Sequence, residues 1–364
     1  MSKLKAKFET LYEHFEKEEF SEILTYENGN LFLKLRTISR PKLLMEFAKT
    51  INITLTTNSK EAFKEIFSQN ISETQLEEFI QKKHNEDYAI RSTNEDFLYS
   101  QLYKLNNFDW GGLYQNGLEK TIVNNYVKKI QDFDVLNIKI ENELHLSMRG
   151  YVRSSWYNNW STILIEDIFK NHKDVLPAIG KVKKIDFFWK DVPFDLKVTY
   201  FPEGLMSQER KRKSMKSEIS ELKQFAKKHN FSFIKTNNET GIFNELLKKI
   251  TESTSQEAKE FISAFHENRR NIINESIKNP HDLSKWLYEN QGERRFDAVY
   301  RFYLILINMN SLEDSWKLKR NKVELYNKIN AFLNQNPAHH VNSIIFEWDK
   351  KKYATKYALM FICV

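Results

Sequence analysis

The sequence predicts an α+β or α/β fold, a mixed sheet flanked by helices, with additional mainly helical regions on its N- and C-terminal sides. Three observations predict it. Lys184 to Thr199 reads as two short strands around a tight turn. A strongly apolar helix over 153–170 precedes them. A long helix from Ser207 to His229 and a strand at Phe231–Ile234 follow. Helices alternating with strands build a helix-covered sheet rather than an all-β sandwich.

The 364 residues leave room for two or three domains, or one elaborated domain, with a sizeable core. Aromatics make up 14% against only 9 glycines and 6 prolines, so the chain reads as ordered and globular. A net charge of +7 favours a polyanionic partner. The lone cysteine, Cys363, excludes a disulfide framework or a cysteine-based zinc site within one chain, and fits a reducing cytosol. Behind Met1 to Lys7 no apolar signal segment follows, and the apolar run Tyr303–Ile307 is too short to span a bilayer. A cytoplasmic location away from membranes is expected. No repeat of roughly 20–50 residues occurs.

Segment 1–145 is expected to be an N-terminal α+β region suited to DNA recognition or dimerisation. Residues 1–20 place Phe8, Leu11, Phe15 and Phe20 on one helical face. Ile23–Tyr26 and Leu31–Leu35 flank Asn28-Gly29, a hairpin signal. Pro41 opens a helix to Ala48, and Ile51–Thr56 reads as a strand. Helices follow over 59–69 and 73–83, the second with the capping pattern Ser72-x-x-Gln75. The stretch 84–115 is less periodic, with a turn at Trp110-Gly111-Gly112. An amphipathic helix over 117–130 and a strand over Val135–Leu146 complete the region.

The chemistry lies in 146–250. With the turn between Lys190 and Asp191, Trp189 pairs with Val192, Phe188 with Pro193, Phe187 with Phe194 and Asp186 with Asp195. Alternation then gives one apolar face of Ile185, Phe187, Trp189, Val192, Phe194, Leu196 and Val198. The other face carries Lys184, Asp186, Phe188, Pro193, Asp195, Lys197 and Thr199. Two carboxylates facing each other repel by roughly 0.2–1 kcal/mol. A hard divalent cation between them reverses the sign, and a neighbouring lysine then orients water or meets phosphate charge. The plain alternative is a hairpin with a solvated polar face. In the preceding helix Glu166 sits among apolar residues, where a carboxylate is costly unless paired or on a metal. A carboxylate at the surface near the helix end is the plain reading of Glu166.

Asp186 followed by Asp195-Leu196-Lys197 resembles the PD-(D/E)xK nucleases, a superfamily that includes many type II restriction endonucleases. The resemblance implies a restriction-endonuclease-like core and Mg²⁺-dependent hydrolysis of double-stranded DNA, with Mn²⁺ as a substitute. It implies that Asp186, Asp195 and the Leu196 carbonyl bind the metal, and that Lys197 lies near the attacking water. It also implies an extra carboxylate from the upstream helix, Glu166, with Asp167 as the rival. Ile185 stands where the motif name has proline. The Gln-x-x-x-Tyr pair of the exonuclease branch is absent, since Gln208 is followed by Arg212, which favours an endonuclease. The first core strand is expected at Val175-Leu176 or at Lys181–Ile185. Two-strand cleavage fits a homodimer.

Arg149, Arg153, Lys181, Lys183, Lys184, Arg210, Lys211, Arg212 and Lys213 are candidate phosphate contacts, with ordinary solvated charge as the alternative. Segment 251–364 is expected to be helical, ending in a hairpin of Val341–Trp348 and Tyr353–Val364. Arg294-Arg295-Phe296-Asp297 opens a helix that includes Phe302 and Leu304, so Arg294, Arg295 and Arg301 are surface charges or DNA contacts. His339-His340 and Asn342 do not make an HNH motif, because a strand rather than a helix follows. No Gly-rich phosphate loop, Gly-x-Ser-x-Gly or His-Glu-x-x-His occurs. The rival functions are a non-specific defence or repair nuclease acting on DNA or RNA, and a catalytically silent DNA-binding protein.

Overall fold

The run Tyr-Arg-Phe-Tyr-Leu-Ile-Leu-Ile at 300–307 is apolar on both alternating faces, the mark of a strand with layers above and below it. In the computed structural model it is strand β4 (Tyr300–Ile307), buried along its whole length. The structure describes residues 4–55, 59–69, 71–108, 122–180, 185–233, 239–290, 300–348 and 350–364. The other strands are β1 (Val175–Pro177), β2 (Phe187–Trp189), β3 (Val192–Tyr200), β5 (Asn342–Trp348) and β6 (Lys351–Cys363). The architecture is mixed α+β: one six-stranded sheet in the order β1-β2-β3-β4-β6-β5, with helices around it. β1, β2 and β3 form an antiparallel meander. β3, β4 and β6 run parallel, and β5 is antiparallel to β6 at the far edge.

Both faces are covered. Phe302, Leu304 and Leu306 point to a layer made by helix His145–Lys170, through Ile165, Ile168 and Phe169, and by helix Lys322–Leu333, through Leu325 and Ile329. Tyr303, Ile305 and Ile307 point the other way, onto helices Glu203–Arg212, Gln256–Lys278 and Pro280–Asn290. The N-terminal helices cover Ile185 and Phe188 with a separate apolar cluster that includes Phe32, Leu33 and Phe47. Each fully buried Leu, Ile or Phe contributes roughly 1.5–3 kcal/mol, so these layers supply most of the fold's stability.

Several expected elements differ. Ile23–Leu35 is not a hairpin: helices Phe20–Ile23 and Gly29–Thr37 occupy it. A Cβ on Gly29 would lie 1.9 Å from the Ile23 carbonyl oxygen, so this glycine serves a close approach of backbone rather than a hairpin turn. Residues 51–55 form no strand, and Thr56 lies outside the described residues. Val135–Leu146 is helical, with Asp132 capping the Val135 N–H at 2.9 Å. Leu136, Ile140 and Leu144 recur at helical spacing and pack around Tyr126. Of the expected helix 117–130, residues 122–130 are described and hold one π-helical turn, Val123–Val127. Trp110-Gly111-Gly112 lies outside the described residues.

The long helix from Ser207 to His229 is broken in two. Ser214 takes a left-handed φ of 56° and Ser217 caps a new helix at Ser220. Phe231–Phe233 is not a strand, and among the described residues the next strand after the hairpin is β4, reached through helices between 203 and 290. The helix expected around Phe302 is therefore strand, while Arg294 and Arg295 fall outside the described residues. The sheet thus draws strands from both 146–250 and 251–364. A helix at Pro41–Thr50, the Ser72 cap, β1 at Val175–Pro177 and the terminal hairpin form where expected, while the helix expected over 73–83 runs on to Ser92.

The hairpin turn is tied to the N-terminal helices by charge. Lys190 and Asp191 both have positive φ, 45° and 66°, the pattern of a type I′ turn without glycine. Asp191 accepts a hydrogen bond from the buried Lys34 ammonium, which also donates to Glu73 at 2.7 Å and to Glu77 at 2.5 Å. The three acids are partly solvated while Lys34 is 1% exposed. Lys34→Met is expected to lower the unfolding free energy by about 1–3 kcal/mol, with an unchanged denaturant slope in urea titrations.

Candidate active site

The hairpin register follows the expected pairing for three residue pairs and then ends. Trp189 faces Val192, Phe188 faces Pro193 and Phe187 faces Phe194. Asp186 is not paired with Asp195; its N–H donates to the Phe194 carbonyl at 2.8 Å. Asp186 therefore lies just before β2, outside the β2–β3 ladder. Ile185 packs on the N-terminal cluster beside Phe188, away from the face shared by Phe187 and Trp189. In place of the next ladder bond, Asp186 Oδ2 accepts the Leu196 N–H at 2.7 Å. The N–H and C=O of one strand residue leave by the same edge, so the Leu196 carbonyl faces the Asp186 side.

Asp195 Oδ1 accepts from Lys197 Nζ at 2.5 Å, and Oδ2 lies 4.0 Å from Arg301 Nε. Arg301 stands beside Asp195 because β3 and β4 pair in parallel with these two residues in register. Glu166 approaches from helix His145–Lys170 and accepts from Lys170 Nζ at 2.7 Å. Its neighbour Asp167 points elsewhere, to Arg91 Nη2 at 2.7 Å. Of the two rivals, Glu166 is the carboxylate that acts on Asp186.

Burial is the largest cause that pushes the Asp186 carboxyl up to about 6, followed by the negative charges of Glu166 and Asp195. The Leu196 N–H bond and the Lys170 charge act in the opposite direction and lose. A hard divalent cation placed near Asp186 would offset the repulsion that Glu166 and Asp195 exert on it. Among the described residues, Glu73, Glu77 and Asp191 are the three carboxylates whose oxygens all lie within 4.8 Å of one another, and Lys34 meets their charge. Glu166, Asp186 and Asp195 do not converge that closely.

The candidate DNA contacts divide. Arg149 and Arg153 are exposed on helix His145–Lys170. Lys181, Lys183 and Lys184 lie outside the described residues. Arg210 is a correction: it is 1% exposed, pairs with Glu221 and donates to the Lys216 carbonyl at 2.9 Å, so it braces two helices rather than facing solvent. Lys211, Arg212 and Lys213 remain exposed, with Arg212 3.2 Å from Glu209 and Lys213 2.9 Å from Glu275. Sequence reasoning missed Lys170 and the site role of Arg301. The four-residue spacing of Glu166 and Lys170 on a helix is a readable signal. Nothing local places Arg301 beside Asp195.

The raised Asp186 carboxyl fixes the sign of a pH effect. Unfolded, the group titrates near 3.8; folded, near 6. Its favourable contribution is complete below the lower value and is lost as pH rises through the upper one. Asp186→Asn keeps an acceptor for Leu196 and removes the charge. It is expected to be more stable than the parent at pH 8 by about 1–3 kcal/mol, the difference fading towards pH 4 in urea titrations. Comparison of the chain with protein-family models, with curated proteins and with solved structures finds no match.

Proposed function

We propose that this protein is a Mg²⁺-dependent endonuclease of the PD-(D/E)xK type that hydrolyses double-stranded DNA, most simply as a homodimeric type II restriction enzyme. One observation carries the reading: a partly enclosed Asp186, its carboxyl raised by burial and by Glu166 and Asp195, accepts the Leu196 N–H from β3, the strand that carries Asp195 and Lys197. The order of helix His145–Lys170, β1, the β2–β3 hairpin, further helices and β4 supports it.

Asp186, Asp195 and the Leu196 carbonyl would hold the cation, and Glu166 supplies a further carboxylate at the edge of the site. Bound there, Mg²⁺ supplies charge neutralisation at the phosphate and acidifies a water. Lys197 stands on the same strand two residues beyond Asp195, 42% exposed, where its ammonium can orient that water or meet charge on the phosphate. The exposed Arg149, Arg153, Lys211, Arg212 and Lys213 are candidates for the DNA backbone. Among the described residues no helix is long and apolar enough to cross a membrane. A cytoplasmic location remains part of the proposal.

Purified protein incubated with unmethylated phage and plasmid DNA is expected to give discrete Mg²⁺-dependent fragments, with Mn²⁺ able to substitute and EDTA stopping the reaction. Asp195→Ala and Lys197→Ala are each expected to lose about 10²-fold or more in cleavage rate. Cleavage that survives both substitutions removes these residues from the chemistry. A smear from DNA, or cleavage of RNA instead, points to a non-specific nuclease. Salt-dependent binding without cuts under any metal points to a silent DNA-binding protein.

A further inference from the structure

Arg301 stands outside the motif, yet it is the most firmly held group in the candidate site. Its side chain is 6% exposed, with Nε 4.0 Å from Asp195 Oδ2. Nη1 donates to the Tyr303 hydroxyl at 3.2 Å, and the guanidinium lies 4.7 Å from the centre of the Tyr288 ring. The Arg301 backbone N–H donates to the Tyr288 hydroxyl at 3.2 Å, which itself donates to the Lys356 carbonyl at 3.0 Å. The two tyrosine rings meet edge-on with centroids 5.6 Å apart. A guanidinium keeps its proton, so this is a permanent charge inside the sheet layer, where a charge needs an anion close by. Lys197 is the opposite kind of partner: 42% exposed, on a flexible stem, holding the other oxygen of the same carboxylate.

We propose that Arg301 is the fixed counter-ion of Asp195, a positioning residue that holds this carboxylate in place and thereby leaves Lys197 exchangeable. What Lys197 does once released rests on the nuclease reading. It leaves Oδ1 for the attacking water or a phosphate oxygen, and Asp195 still faces a cation. The division of labour between the two cations does not rest on that reading. It follows from their burial and from the oxygens they face.

The test is the rate at which an amine-acylating reagent labels Lys197 in the full-length, metal-free protein, read by peptide mass spectrometry against the other lysines. In Arg301→Gln, Lys197 is the remaining close cation of Asp195 among the described residues, so labelling of Lys197 is expected to slow about threefold. Arg301→Lys keeps the charge and is expected to restore the parent rate, and Asp195→Asn to accelerate labelling. Loss of structure alone would speed labelling, the opposite direction, so a merely structural role does not mimic the result. Unchanged or faster labelling in a folded Arg301→Gln protein overturns the proposal. If that variant does not fold, Tyr303→Phe removes the hydroxyl that steers Nη1 and is expected to slow labelling in part; an unchanged rate overturns the proposal equally. Mg²⁺ or Ca²⁺ added to the parent protein is expected to speed Lys197 labelling by displacing it from Asp195. Slowing in Arg301→Gln without any metal effect would leave Arg301 as assigned and sink the metal-dependent nuclease reading.

Discussion

Asp186, Asp195 and Glu166 lie within electrostatic reach of one another, partly out of water, and this is a constraint that the packing around them must meet. Like charges in a partly enclosed place repel more strongly than on the surface, because less solvent screens them. The chain compensates unevenly. Glu166 has Lys170, Asp195 has Lys197 and Arg301, and Asp186 has a backbone N–H. Burial first, and then the charges of Glu166 and Asp195, push the Asp186 carboxyl up. Such an arrangement costs stability, so it persists only where surrounding packing is strong enough to impose it.

That packing comes from β4 and the layers on either side of it. A strand buried at all eight positions cannot tilt or slide without exposing Leu, Ile and Phe side chains. Because β4 pairs in register with β3, it fixes Asp195, Lys197 and Arg301 relative to one another. At the other end, the turn at Lys190-Asp191 is pinned to the N-terminal helices through Lys34. The hairpin is held at both ends, and its ladder ends at Phe187. Just outside that ladder Asp186 donates its N–H to the Phe194 carbonyl and accepts the Leu196 N–H on its carboxylate.

How much of this was legible in the sequence depends on range. The hairpin turn, its first three pairs and the apolar helix before it follow from short-range alternation and helical periodicity, and they form as read. Segment 23–35 reads as a hairpin because Asn28-Gly29 separates two apolar runs, and Val135–Leu146 reads as a strand because Leu136, Ile138 and Ile140 alternate; both are helical, and the four-residue spacing of Leu136, Ile140 and Leu144 is the stronger signal. The end of the ladder at Phe187 is invisible in a two-residue alternation, which continues through Ile185. Arg301 and the true neighbour of β3 were out of reach for a different reason. They arrive from the far side of a helical stretch, and a parallel pairing leaves no local turn to announce it.

The two cations at Asp195 explain why a short motif can sit in such a demanding place. A lysine alone on that carboxylate would face a conflict. To act on water or phosphate it must leave, and leaving would strand a partly buried charge. Arg301 relieves the conflict, because it approaches the second oxygen from inside the sheet layer and cannot follow Lys197 outward. The tyrosines matter for the same reason. Tyr303 and Tyr288 restrict where the guanidinium can point, which keeps it beside Asp195 rather than at the solvent edge. The residues carrying the chemistry would then be few and local, while the residues that let them work are distributed through the core of the sheet.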